Sequence, residues 1–504
     1  SHYLNVTEAI LRMVGDVMGV DPKEASRHII LGLKDMAGVC PPRFMTELVT
    51  AIRKAWPELV QHYHRHYTDG LFVPSCGAAA KAGAHIIDVG LGSAVRAYGQ
   101  GDVLATAAGD APEIGQARSL KAAWLRENER DIWDKTFRLV DAPDWLTYKL
   151  TGEWTFNINT AAHRAYYDRD NGGWPVDLYE EAGAGDVFEK IPEVVNDLGV
   201  PVGGLSNNAA EALGLIPGTP VAQGGGDAWH GQIGLGVLSP GKMSLVTGSS
   251  HVMSGQASTP VSGPGFFGGY TDGVVPGQYT VETSLVSSGS VLKWFKDQFC
   301  PDVAQAAEQT GLNVYDIMNR RALNIPIGCD GLIINEYFQG NRSPYTDAKA
   351  RGTITGLSLS HGREHVYHAI QEATCYGLEH NLRTMRSLGY NPESITLSGG
   401  ATRSPAWIQM HADITGMGVN ITEVQDAPAL GSAMLGAVTS GRYTNLHEAA
   451  AAMVHDKETI APNPERHEEY KFWVDQYIKI HPAMRDLQHA VADHLAQQQA
   501  NEND

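Results

Sequence analysis

The sequence is poor in cysteine, in basic residues and in long apolar runs. Its 504 residues include five cysteines and no CxxC pair, which argues against a disulfide framework and a zinc ribbon. No apolar run reaches the ~18 residues of a membrane-spanning helix, and residues 1–30 lack the apolar centre of a signal peptide. The 38 basic residues against 57 acidic ones give a net charge of −19, which argues against nucleic-acid and anionic-membrane partners. These deficits favour a cytoplasmic protein that acts on small molecules.

A phosphate loop of the form GxxxxGK[ST] is also absent, which excludes a P-loop enzyme. The length predicts two or three domains. The small, polar stretch AAGDAPEIGQ (107–116) predicts a boundary near residue 110. We therefore expect domains at 1–110, 111–217 and 218–465, followed by a charged, helical and peripheral tail at 466–504.

Helical and strand-like patterns alternate along the chain. PPRFMTELVTAIRKAW (41–56) has helical spacing of its apolar residues and lies between the short apolar runs HIILGL and AHIIDVGL. Strand, helix and strand in this order predict parallel βα units in residues 1–110. The segment at 363–389 predicts a long helix that a glycine ends. Strand-like runs return from residue 218 onward.

Three glycine-rich turns each follow a strand-like run: VAQGGGD (221–227), LVTGSS (245–250) and ITLSGGATRSP (395–405). Bare backbone N–H groups and hydroxyls at such turns can bind phosphate oxygens. Phosphoryl transfer to an alcohol needs phosphate donors, a metal and a base for the hydroxyl proton. Asp227 fits the base. The remaining candidates fit phosphate and nucleotide contacts: Thr247, Gly248, Ser249, Gly399, Gly400, Ala401 and Ser404.

Each of these motifs has a simpler interpretation. Asp227 alone could be a turn or helix-cap acid, and TGSS alone could be a plain turn. Three turns with different chemistry, one with a carboxylate, one with hydroxyls and one opening a helix, favour a binding site over three unrelated turns.

From about residue 112 to 480 the chain resembles the FGGY-type carbohydrate kinases of the actin-like ATPase superfamily. The matching segments occur in order: PEIGQARSLKAAWLREN, DWLTYKLTGEW, GGGDAWHGQIGLG, LVTGSSH, SSGSVLKWF, FQGNRSPYTDAKARGTITGLSLSH, LSGGATRSPAWIQMHADITG and APALGSAMLGAV. The segment AYYDRDNGGWPVDLYEEAG is similar to the pentulose, or ribulose-type, branch of that family.

The resemblance implies an α/β fold of two actin-like, ribonuclease H-like domains with ATP and a sugar in the cleft between them. It implies ATP and Mg²⁺ as cofactors and Asp227 as the base, with Gly226 and Ala228 beside the substrate. The implied nucleotide contacts are Thr247 and Gly248 at the phosphates, Gly289 and Gly400 beside the nucleotide, and Ser404 near the adenine.

The family's phosphate loop, of the form DxGTxxxR, has no counterpart in residues 1–111. The nearest glycine-bearing turn, DVGLGSAVR (88–96), lacks the Gly-Thr step. We therefore expect the first kinase domain to be incomplete.

Residues 5–108 instead resemble the carboxyltransferase barrel of pyruvate carboxylases and oxaloacetate decarboxylases. The segments that carry this likeness are HIILGLKDMAG, the HYHRHY run and AHIIDVGLG. By position, His64 and His66 would ligate a divalent metal. About three of the eight strands that a barrel needs are represented, so the expected structure is a partial TIM-barrel-like segment. A solvated histidine cluster is the alternative interpretation of HYHRHY.

The sequence thus predicts an ATP-dependent kinase of a sugar or sugar alcohol, with a ketopentose such as ribulose as the substrate. One alternative is a kinase relic that binds nucleotide or sugar without turnover. Another is a fragment of a biotin-dependent carboxyltransferase, although no Met-Lys-Met biotinylation motif occurs. Whether a natural fusion, a rearranged gene or an assembly error joined the two parts stays open, as does a homodimer.

Overall fold

The computed structural model describes residues 2–27, 30–35, 42–65, 86–87, 122, 126–127, 130–181, 183–263 and 267–503. The chain divides into two compact units. The first comprises residues 1–116, 346–348 and 491–504, and the second comprises residues 117–345 and 349–490. The domain boundaries expected near residues 110, 217 and 465 stay predictions.

The first unit contains a parallel three-stranded sheet. Its elements are α1 (His2–Met18), α2 (Pro22–Ala25), β1 (Ile30–Asp35), α3 (Pro42–Ala55), β2 (Val60–Arg65) and β3 (Ile86–Ile87). The strand order is β1-β2-β3, and both pairings are parallel. Buried Leu11, Ile52 and Leu59 form its core, so the apolar stripe of α3 explains why this segment is helical.

The parallel βα arrangement expected for residues 1–110 is therefore confirmed for the described elements. His64 lies on β2, where its backbone is opposite Lys34 of β1. His66 lies outside the described residues. The two-histidine metal site and the likeness to a carboxyltransferase barrel both stay predictions.

The second unit begins with short elements that lead to the first glycine turn. They are α4 (Arg130–Lys135), α5 (Ala142–Thr151), β4 (Phe156–Asn157), α6 (Ile158–Ala165), α7 (Val176–Glu181), β5 (Val195–Asn196), β6 (Pro201–Gly204), α8 (Asn207–Leu213), β7 (Pro220–Ala222) and α9 (Asp227–Gly234). Phe156, Tyr179 and Val187 are fully buried in a small core here. β4 pairs with β5 and β6 with β7 in separate two-stranded sheets.

A seven-stranded mixed sheet follows. The elements are β8 (Lys242–Thr247), β9 (His251–Ala257), β10 (Phe267–Thr271), β11 (Tyr279–Leu285), α10 (Gly289–Phe299), α11 (Pro301–Thr310), α12 (Val314–Ala322), β12 (Ile333–Asn335), β13 (Thr353–Thr355), α13 (Arg363–Ser387), β14 (Ser394–Gly399), α14 (Pro405–Thr415), β15 (Gly418–Thr422), α15 (Ala427–Thr439), α16 (Leu446–Met453), β16 (Asp456–Ile460) and α17 (Pro464–Asn503). β12 and β13 form a separate two-stranded sheet, and the strand order of the seven-stranded sheet is β10-β11-β9-β8-β14-β15-β16. Strands β8, β14 and β15 are mutually parallel at its centre.

The tail at 466–504 is helical, as expected, but it is not peripheral throughout. Tyr470, Val474 and Tyr477 on α17 are at most 1% exposed and belong to the main hydrophobic core. Charged residues between them hide this stripe in the sequence, because its apolar members are few and partly aromatic. The first half of α17 is therefore a structural element of the core.

No helix in the described ranges is long and apolar enough to cross a membrane.

Candidate active site

Two of the glycine turns meet at one edge of the large sheet. β8 and β14 are adjacent parallel strands, and Thr247 at the end of one is paired with Gly399 at the end of the other. Ligands of α/β proteins bind at the carboxyl ends of parallel strands, because the turns that follow the strands open there. The register thus brings TGSS and GGATRS together, although about 150 residues separate them.

A cavity of about 410 Å³ lies at this edge. This volume falls within the ~300–1,000 Å³ typical of small-molecule sites. The residues that line it come from both turns and from helices α10, α12, α13 and α14: Thr247, Gly248, Gly289, Leu292, Asn313, Tyr315, Asp316, Asn319, Tyr367, Gln371, Gly400, Ala401, Arg403, Ser404 and Trp407. Six of these residues were predicted from the sequence as nucleotide contacts.

Thr247 joins the two turns through its side chain. Its buried hydroxyl donates to the Ser398 carbonyl at 2.7 Å and accepts from the Ala401 N–H at 3.0 Å. Both interactions are internal to the protein, so this hydroxyl positions the turns. Gly248 and Ser249, by contrast, are exposed and free to approach a ligand.

The TGSS turn also rests on the N-terminus of α10. The Ser249 carbonyl accepts from the backbone N–H groups of Ser288 and Ser290, at 3.0 and 3.2 Å. Gly289 lies so close to this turn that a Cβ there would be 2.3 Å from the Gly248 carbonyl oxygen. Glycine is therefore required at 289 by the close approach of two backbones.

The back wall of the cavity is a polar network that sequence reasoning missed. Asn319 Oδ1 accepts from the Tyr367 hydroxyl at 2.9 Å and from Gln371 Nε2 at 3.1 Å. Trp407 Nε1 donates to the Gln371 carbonyl at 3.3 Å. The only sequence signal is the helical spacing of Tyr367 and Gln371, which puts both on one face of α13. Burial raises the pKa of Tyr367, so its hydroxyl stays protonated and donates.

Asp227 is the first residue of α9, with Gly226 at the N-cap. Its side chain is exposed, and Oδ1 accepts from the Ala228 N–H at 2.9 Å. A carboxylate at a helix N-terminus is stabilised by the helix dipole. The preceding loop is fixed, because the Gly226 N–H donates to Asn159 Oδ1 at 3.0 Å. A Cβ at Gly226 would lie 2.7 Å from the ring of Trp229, which explains the glycine next to the acid.

His230 holds the same loop from the other side. Its Nε2 accepts from the Gly225 N–H at 2.9 Å, and its Nδ1 lies 2.8 Å from Ser432 Oγ. An acceptor Nε2 requires the proton to be on Nδ1, which then donates to Ser432. Burial lowers the pKa of His230, although the charge of Asp227 acts in the opposite direction. The imidazole is therefore a neutral positioning group.

Helix α9 packs against α15 with the two backbones nearly in contact. A Cβ at Gly234 would be 1.9 Å from the Ala427 carbonyl oxygen, and a Cβ at Gly431 would be 1.9 Å from that of His230. The close approach explains Gly234 in DAWHGQIGLG and Gly431 in APALGSAMLG. These two glycines allow the short distance between α9 and α15, and this distance sets the position of Asp227 at the N-terminus of α9.

Behind Trp229 lies a buried polar pair that the sequence did not reveal. His163 on α6 contacts the Trp229 ring at 4.7 Å, and its Nε2 is 3.5 Å from Glu282 Oε2. Burial raises the pKa of Glu282 to about 7 and lowers that of His163 to about 3. The imidazole is thus neutral, and it fixes the aromatic ring that follows Asp227.

The predicted site residues therefore fall into two groups. Thr247, Gly248, Gly289, Gly400, Ala401 and Ser404 line the cavity. Gly226, Asp227 and Ala228 form the N-terminus of α9 and are not part of the lining, and Ser249 and Gly399 lie in the two turns outside it. Their individual roles stay predictions.

The cavity offers more contacts for ATP than ligands for Mg²⁺, the two cofactors that the family resemblance implies. The cavity suits a nucleotide, since it combines exposed glycine backbone with the aromatic rings of Tyr315 and Trp407. Asp316 is the one acidic residue of its lining. Mg²⁺ keeps several waters and takes few protein ligands, so it would be bound here largely through the phosphates.

An α/β sheet whose parallel strand ends carry glycine turns around a nucleotide-sized cavity defines a nucleotide-binding architecture. Residues 116–234 match the N-terminal domain of the FGGY family of carbohydrate kinases, and residues 243–440 match its C-terminal domain.

The chain is 32% identical over 374 residues to the ribulokinase of Bacillus licheniformis. The aligned region covers 72% of this chain and 67% of that protein. It is 28% identical over 376 residues to the autoinducer-2 kinase of Escherichia coli, over 73% of this chain and 70% of that protein. The crystal structure of xylulose kinase from Rhodospirillum rubrum superposes with a TM-score of 0.66 at 25% identity, over 74% of this chain and 73% of that one.

The chain therefore belongs to the FGGY family of carbohydrate kinases, which transfer phosphate to an alcohol group. This confirms the predicted family and its actin-like, ribonuclease H-like fold. Two further ribulokinases are matched over 65% of their length, so the chain spans about two thirds of these relatives.

Proposed function

We propose that this chain transfers the γ-phosphate of ATP to a hydroxyl group of a ketopentose such as ribulose, with Asp227 as the general base. The observation that carries the proposal is the placement of Asp227. It is an exposed carboxylate on a loop that Asn159 and His230 hold rigidly, at the N-terminus of a helix packed against α15. A general base must be accessible to the substrate proton and fixed in position, and this carboxylate meets both requirements.

The two glycine turns supply the nucleotide contacts in this proposal. Ser249 and Gly400 are exposed and would offer backbone N–H groups to the phosphates. The Gly248 N–H donates to the Ser250 carbonyl at 2.8 Å, so Gly248 would contribute a bare, exposed backbone that the phosphates can approach closely. Ser404 caps α14 by accepting from the Trp407 N–H. It also lines the cavity, where it would lie near the adenine. Mg²⁺ would neutralise the charge of the transferred phosphate.

The loop that carries Asp227 would hold the sugar. Gly226 and Ala228 flank the base, and Trp229 packs against Gly226. The similar ribulokinase of Bacillus licheniformis supports a ketopentose, whereas autoinducer-2 kinase and xylulose kinase show that related chains accept other substrates. A substrate panel therefore decides this part of the proposal.

ADP release is to be measured with a panel of pentuloses, pentitols and tetritols, for wild type and for Asp227→Asn. The variant keeps the shape of the side chain and loses its basicity, so kcat should fall by about 10²–10⁴-fold. Asp177→Asn is the matched control, because Asp177 is also an exposed acid in the first turn of a helix. Equal turnover in wild type and Asp227→Asn would overturn the assignment of the base.

A second candidate function is nucleotide binding without turnover. It is favoured by the absence of a DxGTxxxR segment from residues 1–111. ATP binding by calorimetry, together with no sugar-dependent ADP release from any substrate of the panel, would support it. Turnover that Asp227→Asn abolishes would exclude it.

A further inference from the structure

One cluster of metal-ligating side chains lies outside the kinase site. Among the described residues, Cys329, His368 and Glu372 form a group whose ligand atoms all lie within 4.8 Å of one another. His368 and Glu372 are four residues apart on α13, which puts them on one face of the helix. Cys329 begins the 3₁₀ turn Cys329–Gly331, which packs against that face.

The spacing of these atoms suits a tetrahedral ion. Cys329 Sγ is 3.4 Å from Glu372 Oε2, and His368 Nε2 is 3.7 Å from Glu372 Oε1. Zinc bonds of ~2.0–2.3 Å give edges of roughly 3.3–3.6 Å between the ligands of a tetrahedron. The two contacts end on different oxygens of Glu372, while one atom from each of the three residues lies within 4.8 Å of the other two. Rotations of the Glu372 carboxylate and of the His368 side chain would shorten these separations to the edges of a tetrahedron.

The surroundings contain more polar groups than the protein pairs by itself. Cys329 and Glu372 are at most 1% exposed. The buried hydroxyls of Tyr376 and Tyr470 face the same carboxylate without reaching hydrogen-bond geometry with any described group. His368 keeps 15% of its side chain exposed, so the cluster is closed on the protein side and open to solvent past the imidazole.

The nearby cation does not neutralise the cluster. Arg466 also faces His368, but its Nε is paired with Asp413 Oδ2 at 2.7 Å. Its charge is thus compensated by another element.

We propose that Cys329, His368 and Glu372 form a zinc site with a water molecule in the fourth position. Thiolate, imidazole and carboxylate together are ligands that favour Zn²⁺ over Mg²⁺ or Ca²⁺. Without the ion, Cys329 Sγ–H donates to Glu372, and the Gly328 N–H donates to the same carboxylate at 3.0 Å. The ion replaces the thiol proton, which leaves to solvent, and binding is therefore linked to proton release.

The role of the site is structural and independent of the proposed kinase activity. Tyr367 and Gln371, which line the nucleotide cavity, are adjacent in sequence to the two helical ligands. The ion would fix the turn Cys329–Gly331 to α13 and so stabilise the helix that carries the back wall of the cavity.

The test uses the full-length protein stripped of metal by a chelator and titrated with Co²⁺, whose thiolate complexes show a charge-transfer band. Wild type should bind one equivalent with this band, and Zn²⁺ should raise its melting temperature. Cys329→Ser should lose the band, and His368→Gln should bind Co²⁺ at least about tenfold more weakly. His368 is partly exposed, so its variant keeps the test valid if Cys329→Ser does not fold.

Cys300→Ser is the matched control, because Cys300 is another buried cysteine away from the cluster. It should retain the band and the zinc-dependent rise in melting temperature. A wild type without the band, or a band that persists unchanged in Cys329→Ser or His368→Gln, would overturn the proposal.

Discussion

The crossing of α9 and α15 provides a sharp test of how Asp227 is positioned. The perturbation is Gly431→Ala, which adds one methyl group where the two backbones nearly touch. The new Cβ would lie 1.9 Å from the His230 carbonyl oxygen, whereas real Cβ atoms stay beyond 3.0 Å of such neighbours. Gly436 is on the same helix, and a Cβ there would meet no atom within 4 Å, so Gly436→Ala is the matched control.

The required movement follows from these distances. The helices must separate by about 3.0 − 1.9 = 1.1 Å to accept the methyl group. Overpacking of this kind costs ~1–3 kcal/mol of folding free energy. Both substitutions gain helix propensity of up to ~1 kcal/mol, which cancels when the two variants are compared. A misplacement of ~1 Å at a reacting group can reduce turnover by ~10²-fold.

Urea unfolding and sugar-dependent ADP release should both be measured on the two variants. Gly431→Ala should be about 1–3 kcal/mol less stable than Gly436→Ala and roughly 10–100-fold slower. If both variants unfold at the same urea concentration and turn over at the same rate, the close crossing does not position Asp227 and the reasoning is wrong.

Three further outcomes are expected. Thr247→Val leaves the buried N–H of Ala401 without its acceptor and removes the hydrogen bond to the Ser398 carbonyl. The free energy of unfolding in urea should therefore fall by about 2–4 kcal/mol, whereas Thr247→Ser should stay within about 1 kcal/mol of wild type. Asn319→Leu removes the acceptor at the back wall, so the KM for ATP should rise about tenfold with kcat little changed; an unchanged KM would exclude this wall from nucleotide binding. Burial raises the pKa of Glu336 from an ordinary 4.5 to about 8, so between these two values the folded state binds a proton that the unfolded state has lost, and stability falls as the pH rises. The melting temperature should therefore fall more steeply between about pH 5 and 8 in wild type than in Glu336→Gln, and parallel curves over this range would contradict the reasoning.

Much of the site was predictable because its signals are local. A strand followed by glycines predicts a backbone turn at a sheet edge, and this placed TGSS at the end of β8 and GGATRS at the end of β14. The alternative interpretation of Asp227 as a helix-cap acid likewise agrees with its place as the first residue of α9. Short-range chemistry determines such features, because the required backbone geometry involves only neighbouring residues.

The polar back wall could not be predicted in the same way. Asn319 and Tyr367 are 48 residues apart, and their hydrogen bond depends on how α12 packs against α13. Thr247 shows the same limit, since nothing in its sequence context indicates that its hydroxyl accepts from the N–H of Ala401, 154 residues away. The periodicity of one segment does not indicate which distant segment it meets.

The sequence by itself determined the family, the three glycine turns and the identity of the candidate base, because these depend on residue types in short, ordered motifs. Only the tertiary structure decided that α17 belongs to the core, that glycines on α9 and α15 set the position of Asp227, and that Cys329 lies against His368 and Glu372. The physical reason is that packing distances between remote segments depend on the whole fold, whereas turn chemistry depends on a few adjacent residues.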